Sequence, residues 1–335
     1  MASESVAARI HKPTRFEYIL RLLLEQYSVL ILVLLAGAVF SHINPRFLSQ
    51  SNLINLSRQI VPLGLIAIGA TLVLIGGGLD LSAGTGTAMC GVAVGVVFVT
   101  TGNVLLALVV GIAAGLAIGT INGLLVARAG FNSVIVTLAM WIILQGAVQL
   151  LLGGRIVFLT HPVFRFIGRG TAGGIPVAFL LLMAAFGGSY YLLNHTRYGV
   201  HLYAVGGNMT DAEVVGIRVT RVRFVTFLLS GLLMGLAGLV LVSRIALVSP
   251  NLSGFPILLN GVSAAVIGGV SVTGGRGRIG GVFLGVLFIG VVSNAINFLN
   301  ITPEAQDLFR GLVVLFALLF QRATIREERW ISSDA

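Results

Sequence analysis

Apolar runs of about 15 to 22 residues follow one another along most of this chain, parted by short clusters of Gly, Pro, Asn and Arg. Runs of that length match a helix crossing the hydrocarbon layer, where every backbone polar group must be satisfied within its own segment. The pattern places spans near 27–43, 60–77, 83–101, 104–127, 133–152, 175–193, 224–243, 257–270, 279–298 and 308–321. It predicts an all-α integral membrane protein, a polytopic bundle of about ten (8–10) transmembrane helices. The run at 257–270 is short and holds Asn260 and Gly261. It reads as re-entrant or broken, which the membrane tolerates only where protein shields the backbone.

Composition sharpens this picture. Of 335 residues, 57% are hydrophobic and 10% charged, with a mean hydropathy of +1.03, whereas soluble domains carry about 25% charged residues. Between Gln26 and Thr210 the only acid is Asp80. Gly111, Gly115 and Gly119 recur at every fourth position, as small residues do where membrane helices pack closely. The net charge of +10 comes from arginines at the ends of apolar runs, the placement of topology signals, so a nucleic-acid partner is excluded. Ten spans put 14 of the 21 basic residues on the amino-terminal side, leaving Arg46, Arg58, Arg155, Arg165, Arg169, Arg244 and Arg310 on the other. By the positive-inside rule both termini are then cytoplasmic. The expected organisation is a tail at 1–26, a membrane domain at 27–321 with a long cytoplasmic loop at 194–223, and a second tail at 322–335. Charges as far as Glu25 leave no signal peptide, so the amino terminus is expected to be retained.

Enzymatic chemistry finds little material. The five histidines fall in tails or loops without an acid on a shared helical face, and Cys90 stands alone, so neither metal nor cofactor is expected. Gly275-Arg276-Gly277-Arg278-Ile279-Gly280 matches a dinucleotide-turn spacing but lacks the βαβ setting and the later acid. The sole lysine, Lys12, lies in the tail, so the chain has no phosphate-binding P-loop of its own.

The polar residues inside the spans are the candidates for a substrate path: Asp80, Ser82, Asn122, Thr137, Trp141 and Gln145. Asp80 reads either as a cap accepting the free N–H groups of the next helix or as a transport residue, since intramembrane acids are costly and functional. Thr137, Trp141, Gln145 and Gln149, four apart, form a neutral stripe beside an indole. Such a stripe suits a polyhydroxylated solute, and equally bonds neighbouring helices. Ser293, Asn294 and Asn297 share that ambiguity. Gly77-Gly78-Leu79-Asp80-Leu81-Ser82 is echoed by Gly268-Gly269-Val270-Ser271-Val272-Thr273, as repeated halves of transporters are.

Within the long loop, Thr210-Asp211-Ala212-Glu213 reads as a capping box with Gly216 as the helix stop. The short helix would present Val214, Val215 and Ile217 as an apolar ridge for a protein partner.

These residues resemble the ribose- and xylose-type sugar permeases of bacterial ABC importers, from about Asn52 to Leu319. The resemblance is carried by Gly77-Gly78-Leu79-Asp80-Leu81-Ser82, Asn122-Gly123-Leu124-Leu125-Val126-Ala127-Arg128, Thr137-Leu138, Thr196-Arg197-Tyr198-Gly199, Tyr203-Ala204-Val205-Gly206-Gly207-Asn208, Gly216-Ile217, Ser230-Gly231, Leu236-Ala237-Gly238, Ala264-Ala265-Val266-Ile267-Gly268-Gly269 and Gly274-Gly275-Arg276-Gly277. The chain departs from the family pattern at Ser133-Val134, Val200, Asp211-Ala212, Leu258 and Asn260, the last two standing where the family commonly has a glutamate and an aspartate. The resemblance implies a multi-pass permease of the bacterial inner membrane, embedded in lipid. A periplasmic sugar-binding protein would deliver the solute, a second permease subunit would complete a homodimer or heterodimer, and a cytoplasmic ABC ATPase would drive transport. The ATPase-coupling residues it implies are Gly207, Asn208, Asp211, Glu213, Gly216 and Ile217. Readings left open are a furanosyl signalling molecule or branched-chain amino acid as cargo, and an ion-coupled secondary transporter.

Overall fold

The computed structural model describes residues 15–250, 252, 254–298, 308, 311, 312 and 315, with residues 15–27 and 255 as backbone only. Helix α1 spans Arg15–Ile43 and leads through a 3-10 turn, Pro45–Leu48, into α2, Gln50–Ile75. Helices α3 (Ala83–Thr101) and α4 (Val104–Gly123) follow, and α4 continues into a π-helical turn at Leu124–Arg128. Next come α5 (Ser133–Leu152), strand β1 (Val157–Phe158), α6 (Pro162–Arg169), strands β2 (Thr171–Ala172) and β3 (Ile175–Pro176), and α7 (Val177–His195). Helices α8 (Arg197–Gly207) and α9 (Met209–Val214) precede the long α10 (Val219–Ile245), strand β4 (Leu247–Val248), α11 (Gly254–Ile267) and α12 (Ile279–Phe298).

Among the described residues seven helices are long and apolar enough to cross a membrane: α2, α3, α4 with its π turn, α5, α7, α10 and α12. Shorter apolar helices occupy Ser28–Ile43 and Pro256–Ile267; the second matches the short run expected at 257–270, while the first falls where a full span was expected. The expected span at 308–321 and the carboxyl-terminal tail lie almost wholly outside the described residues, and so do residues 1–14 of the expected amino-terminal tail, whose remainder, 15–26, forms the start of α1.

Element ends follow local chemistry. Asn103 caps α4 by accepting from Leu106 N, and Asn132 caps α5 by accepting from Val134 N. Gly102 and Gly153 end α3 and α5 in the left-handed region. Helix α2 starts ten residues before the expected span: Ser49 caps it, and Asn52, too polar to signal a span, is buried against Asn294 of α12 by reciprocal amide bonds of 2.8 and 3.1 Å.

Helix α2 is the centre of the bundle, buried at nearly every position from Ile60 to Ile75 and flanked by α7, α10, α11 and α12. Helix α10 runs along both α2 and α4. At the α4–α10 crossing the glycine stripe is a packing surface, since a Cβ on Gly115 would come within 2.7 Å of Gly235 N. Apolar side chains on α4 and α5, among them Leu105, Ile135, Ile142 and Leu150, point outward, as lipid-facing residues do.

The two ends of the bundle differ. At one, called the ribbon end here, β1 pairs antiparallel with β4 and β2 with β3. At the other, the α8 end, the loops after α2 and α11 meet α8. Gly275 N donates to Ile75 O at 2.9 Å, and Gly206 of α8 sits so close that a Cβ would fall on the Ile75 carbonyl oxygen. The internal echo is thus physical. In each loop a side-chain oxygen, of Asp80 or Ser271, accepts the amide two residues on, Ser82 N at 3.0 Å or Thr273 N at 3.2 Å, and pairs with that residue's hydroxyl.

Candidate functional site

Asp80 is 3% exposed and anchors a polar network at the α8 end. Its Oδ1 accepts from Ser82 N at 3.0 Å and Ser82 Oγ at 2.6 Å, and its Oδ2 accepts from Ser230 Oγ of α10 at 3.0 Å. Asn122 Nδ2 of α4 donates to Ser82 Oγ at 2.9 Å. Thr137 Oγ1 of α5 accepts from Leu81 N at 3.0 Å, and Ser133 Oγ accepts from Leu79 N at 3.2 Å. Three helices therefore hold one short loop by its backbone and side chains. Burial raises the Asp80 pKa above the ordinary carboxylate value, against the hydrogen bonds from Ser82 and Ser230 that favour the ion.

The capping expectation needs amendment. Ser82 occupies the cap position of α3 and makes no side-chain cap bond: its hydroxyl donates to Asp80 and its oxygen accepts from Asn122 instead. Asp80 instead closes the turn that leads into α3. Asn122 Oδ1 is buried without a hydrogen-bond partner among the described residues, two residues before the π turn that starts at Leu124.

The structure brings Asp80, Ser82, Asn122 and Thr137 together and adds Ser133 and Ser230. It leaves Trp141 and Gln145 apart: both are half-buried on α5, one and two helical turns beyond Thr137 toward the ribbon end. A second polar region opens at the ribbon end. A cleft of about 210 Å³ between α2, α10, α11 and α12 is lined by Gln59, Arg244, Asn260 and Ser293 among apolar neighbours. Asn260 and Ser293 stood out in the sequence, but Gln59 and Arg244 did not, because nothing local links four residues from four helices.

The loop at 194–223 holds two helices where one was expected. Thr196 caps α8, whose Leu202 and Val205 are buried, and Tyr203 OH donates to Gly277 O at 2.8 Å. Burial pushes the Tyr198 hydroxyl, bonded to Thr226 Oγ1 at 2.8 Å, up to about 12. The cap of α9 is Asn208, not Thr210: its Oδ1 accepts from Thr210 N at 3.0 Å and Asp211 N at 3.3 Å, and its Nδ2 donates to Asp211 Oδ2 at 2.8 Å. Asn208 is the residue with extended backbone before the helix, so the box falls two residues earlier and Glu213 has no part in it. Gly216 has φ 84° and ends the segment with a Schellman pair, Gly216 N to Glu213 O and Ile217 N to Ala212 O. Val214 and Val215 are 82% and 73% exposed, whereas Ile217 packs against the core and leaves the expected ridge. Glu213, Arg128, Arg218 and Arg221 surround a recess beside them, and Gly207 is exposed at the junction of α8 and α9.

Apolar helices crossing a membrane many times, polar groups confined to their interior and ends, and an exposed helical loop on one side define a multi-pass membrane permease. Residues 52–318 match the family described as branched-chain amino acid transport system, permease component, and the chain belongs to that family. It is similar to the ribose import permease of Escherichia coli K12, 33% identical over 301 residues that cover 89% of this chain and 93% of that one. The ribose import permease of Bacillus subtilis 168 is 37% identical over 286 residues, 85% and 88% of the two chains. The L-arabinose permease of Azospirillum brasilense is 35% identical over 307 residues, 92% and 90%. No solved structure matches.

Proposed function

We propose that this chain is the permease subunit of an ATP-driven importer that moves a monosaccharide or similar small polyol across the bacterial inner membrane. The observation that carries this is the similarity to ribose and arabinose permeases over about nine-tenths of both chains. Those relatives favour a sugar over the branched-chain amino acid in the family's description. The arrangement has ten membrane crossings with both termini and the α8 end in the cytoplasm. A second permease subunit, a copy or a related chain, completes the path. A periplasmic sugar-binding protein delivers solute at the ribbon end, and a separate ABC ATPase docks at the α8 end, so this chain needs no cofactor.

Coupling is assigned to Gly207, Asn208, Asp211, Glu213, Gly216 and Ile217. Exposed Val214 and Val215 supply apolar contact, Asn208 and Gly216 fix the ends of α9, and Ile217 ties it to the bundle. Motion of α8 reaches the Gly77 and Gly274 loops directly through Gly206, because no side chain intervenes. The Gly77 loop carries Asp80, whose network with Ser82, Asn122 and Thr137 forms the cytoplasmic end of the path. Trp141 and Gln145 continue it along α5. Weak contact with solute suits import, since tight binding to one state would have to be overcome in every cycle.

Uptake of labelled ribose, arabinose and leucine into cells expressing this chain with its ATPase and receptor tests the reading. Sugar uptake lost with an ATPase deletion supports it. Leucine uptake alone would refute the sugar assignment.

A further inference from the structure

We propose, on the basis of the sugar-importer reading, that the cleft at the ribbon end accepts a monosaccharide-sized solute carrying an anionic group, a carboxylate or a phosphate, with Arg244 as its cationic ligand. The cleft of about 210 Å³ is smaller than the roughly 300 Å³ at which drug-sized pockets begin, room for one small ring. Gln59, Asn260 and Ser293 offer neutral donors and acceptors of the kind that hydroxyl groups need. Arg244 adds a positive charge, and among the described residues no acid lines the cleft.

The surrounding arginines make the charge harder to explain by structure alone. Arg169 Nε donates to Arg244 O at 2.8 Å, and Arg58 Nη2 donates to Arg169 O at 2.5 Å. Three cations are thereby gathered from α2, α6 and α10, and these bonds run to backbone carbonyls. Arg58 Nε is buried with no hydrogen-bond partner among the described residues. The acids whose side chains are described, Asp80, Asp211 and Glu213, all lie at the α8 end. Arg244 is half-buried at the cleft with Arg58 and the exposed Arg169 close enough to repel its charge, and among the described residues no acidic side chain pairs with it, so an anion that reaches it is favoured. A neutral pentose has no use for such a charge, whereas a carboxylate or phosphate takes charge-assisted bonds from a guanidinium. The recess lies between helices and is lined with neutral polar groups, a shape for a small solute more than for an acid projecting from a docked protein.

The test is saturation-transfer NMR on the full-length permease in lipid nanodiscs, with D-ribonate, ribose 5-phosphate and ribose as separate probes at equal concentration. The expected result is a stronger signal from at least one anion than from ribose, and the ratio of ribonate to ribose 5-phosphate tells carboxylate from phosphate. Arg244→Gln should lower the anion signal about tenfold, the worth of a charged hydrogen bond, and leave ribose unchanged. Asn260→Asp, which sets a carboxylate in the same cleft as the guanidinium, should do the same and carries the test if Arg244→Gln misfolds. Arg165→Gln, on exposed α6 at the same end, should change nothing. Equal signals from the three probes, or an anion signal indifferent to both cleft variants, would overturn the proposal. So would a loss of receptor-protein capture in Arg244→Gln with no anion signal in the parent, which would make the arginines a docking patch. Failure of the importer reading shows elsewhere, as uptake that needs no ATPase.

Discussion

Asp80 shows what one side chain can fix. Its two oxygens satisfy the amide and hydroxyl of Ser82 and the hydroxyl of Ser230, 150 residues away in sequence. Asp80→Asn keeps an acceptor for Ser82 and gives Ser230 an amide donor to accept, so the variant should fold and transport within a few-fold of the parent. Asp80→Leu strands those buried groups, at about 1–3 kcal/mol each, and should assemble poorly. The pH dependence has a sign. A carboxylic acid whose pKa is raised by burial stabilises the fold fully below its unfolded value, and that contribution is lost as pH rises through the folded value. Melting temperature in detergent should therefore fall with rising pH across that window in the parent and stay flatter in Asp80→Asn. Equal slopes would mean that Asp80 is not the titrating group. In the sequence Asp80 stood out because acids are scarce around it. Its partners did not, because Ser133 and Ser230 are ordinary serines until folding brings α5 and α10 to the same loop.

At the scale of elements, α9 carries the sharpest expectations. Gly216→Val forces a β-branched residue into φ 84°, so the helix should lose its stop. The variant should insert normally yet lose ATPase co-purification and receptor-stimulated hydrolysis. Val214→Ser with Val215→Ser, both on the open face, should weaken co-purification with little change in melting temperature. Asn208→Ala removes the observed cap and should destabilise α9 by about 1 kcal/mol, while Glu213→Ala should do less. Hydrolysis assays with loaded receptor rank the four, and unimpaired stimulation in Gly216→Val would remove α9 from coupling. The spans from α3 to α5 were legible because Gly102-Asn103, Asn132 and Gly153 punctuate uniformly apolar runs. Helix α8 was not: its Gly199, Gly206 and Gly207 read as loop, and only close packing under Ile75 and beside Leu193 explains Gly206 and Gly199. The first turns of α2 were hidden likewise, since Gln50, Asn52 and Asn55 resemble a connection until Asn294 is seen across from Asn52.

For the whole molecule, the bundle joins a polar cleft at the ribbon end to a buried polar loop at the α8 end through the tightly packed α2 and α10. Gly115→Leu at the α4–α10 crossing should prevent that packing and lower the yield of folded protein, read by size-exclusion chromatography. In the proposed importer, transport is powered by a separate ATPase acting on the α8 end. The most direct measurement is sugar uptake into proteoliposomes holding this chain with its ATPase, with receptor and ATP varied independently and ion gradients abolished. Uptake should require both receptor and ATP, persist without any ion gradient, and vanish in Gly216→Val. Uptake driven by a proton or sodium gradient in the absence of ATP would contradict this proposal.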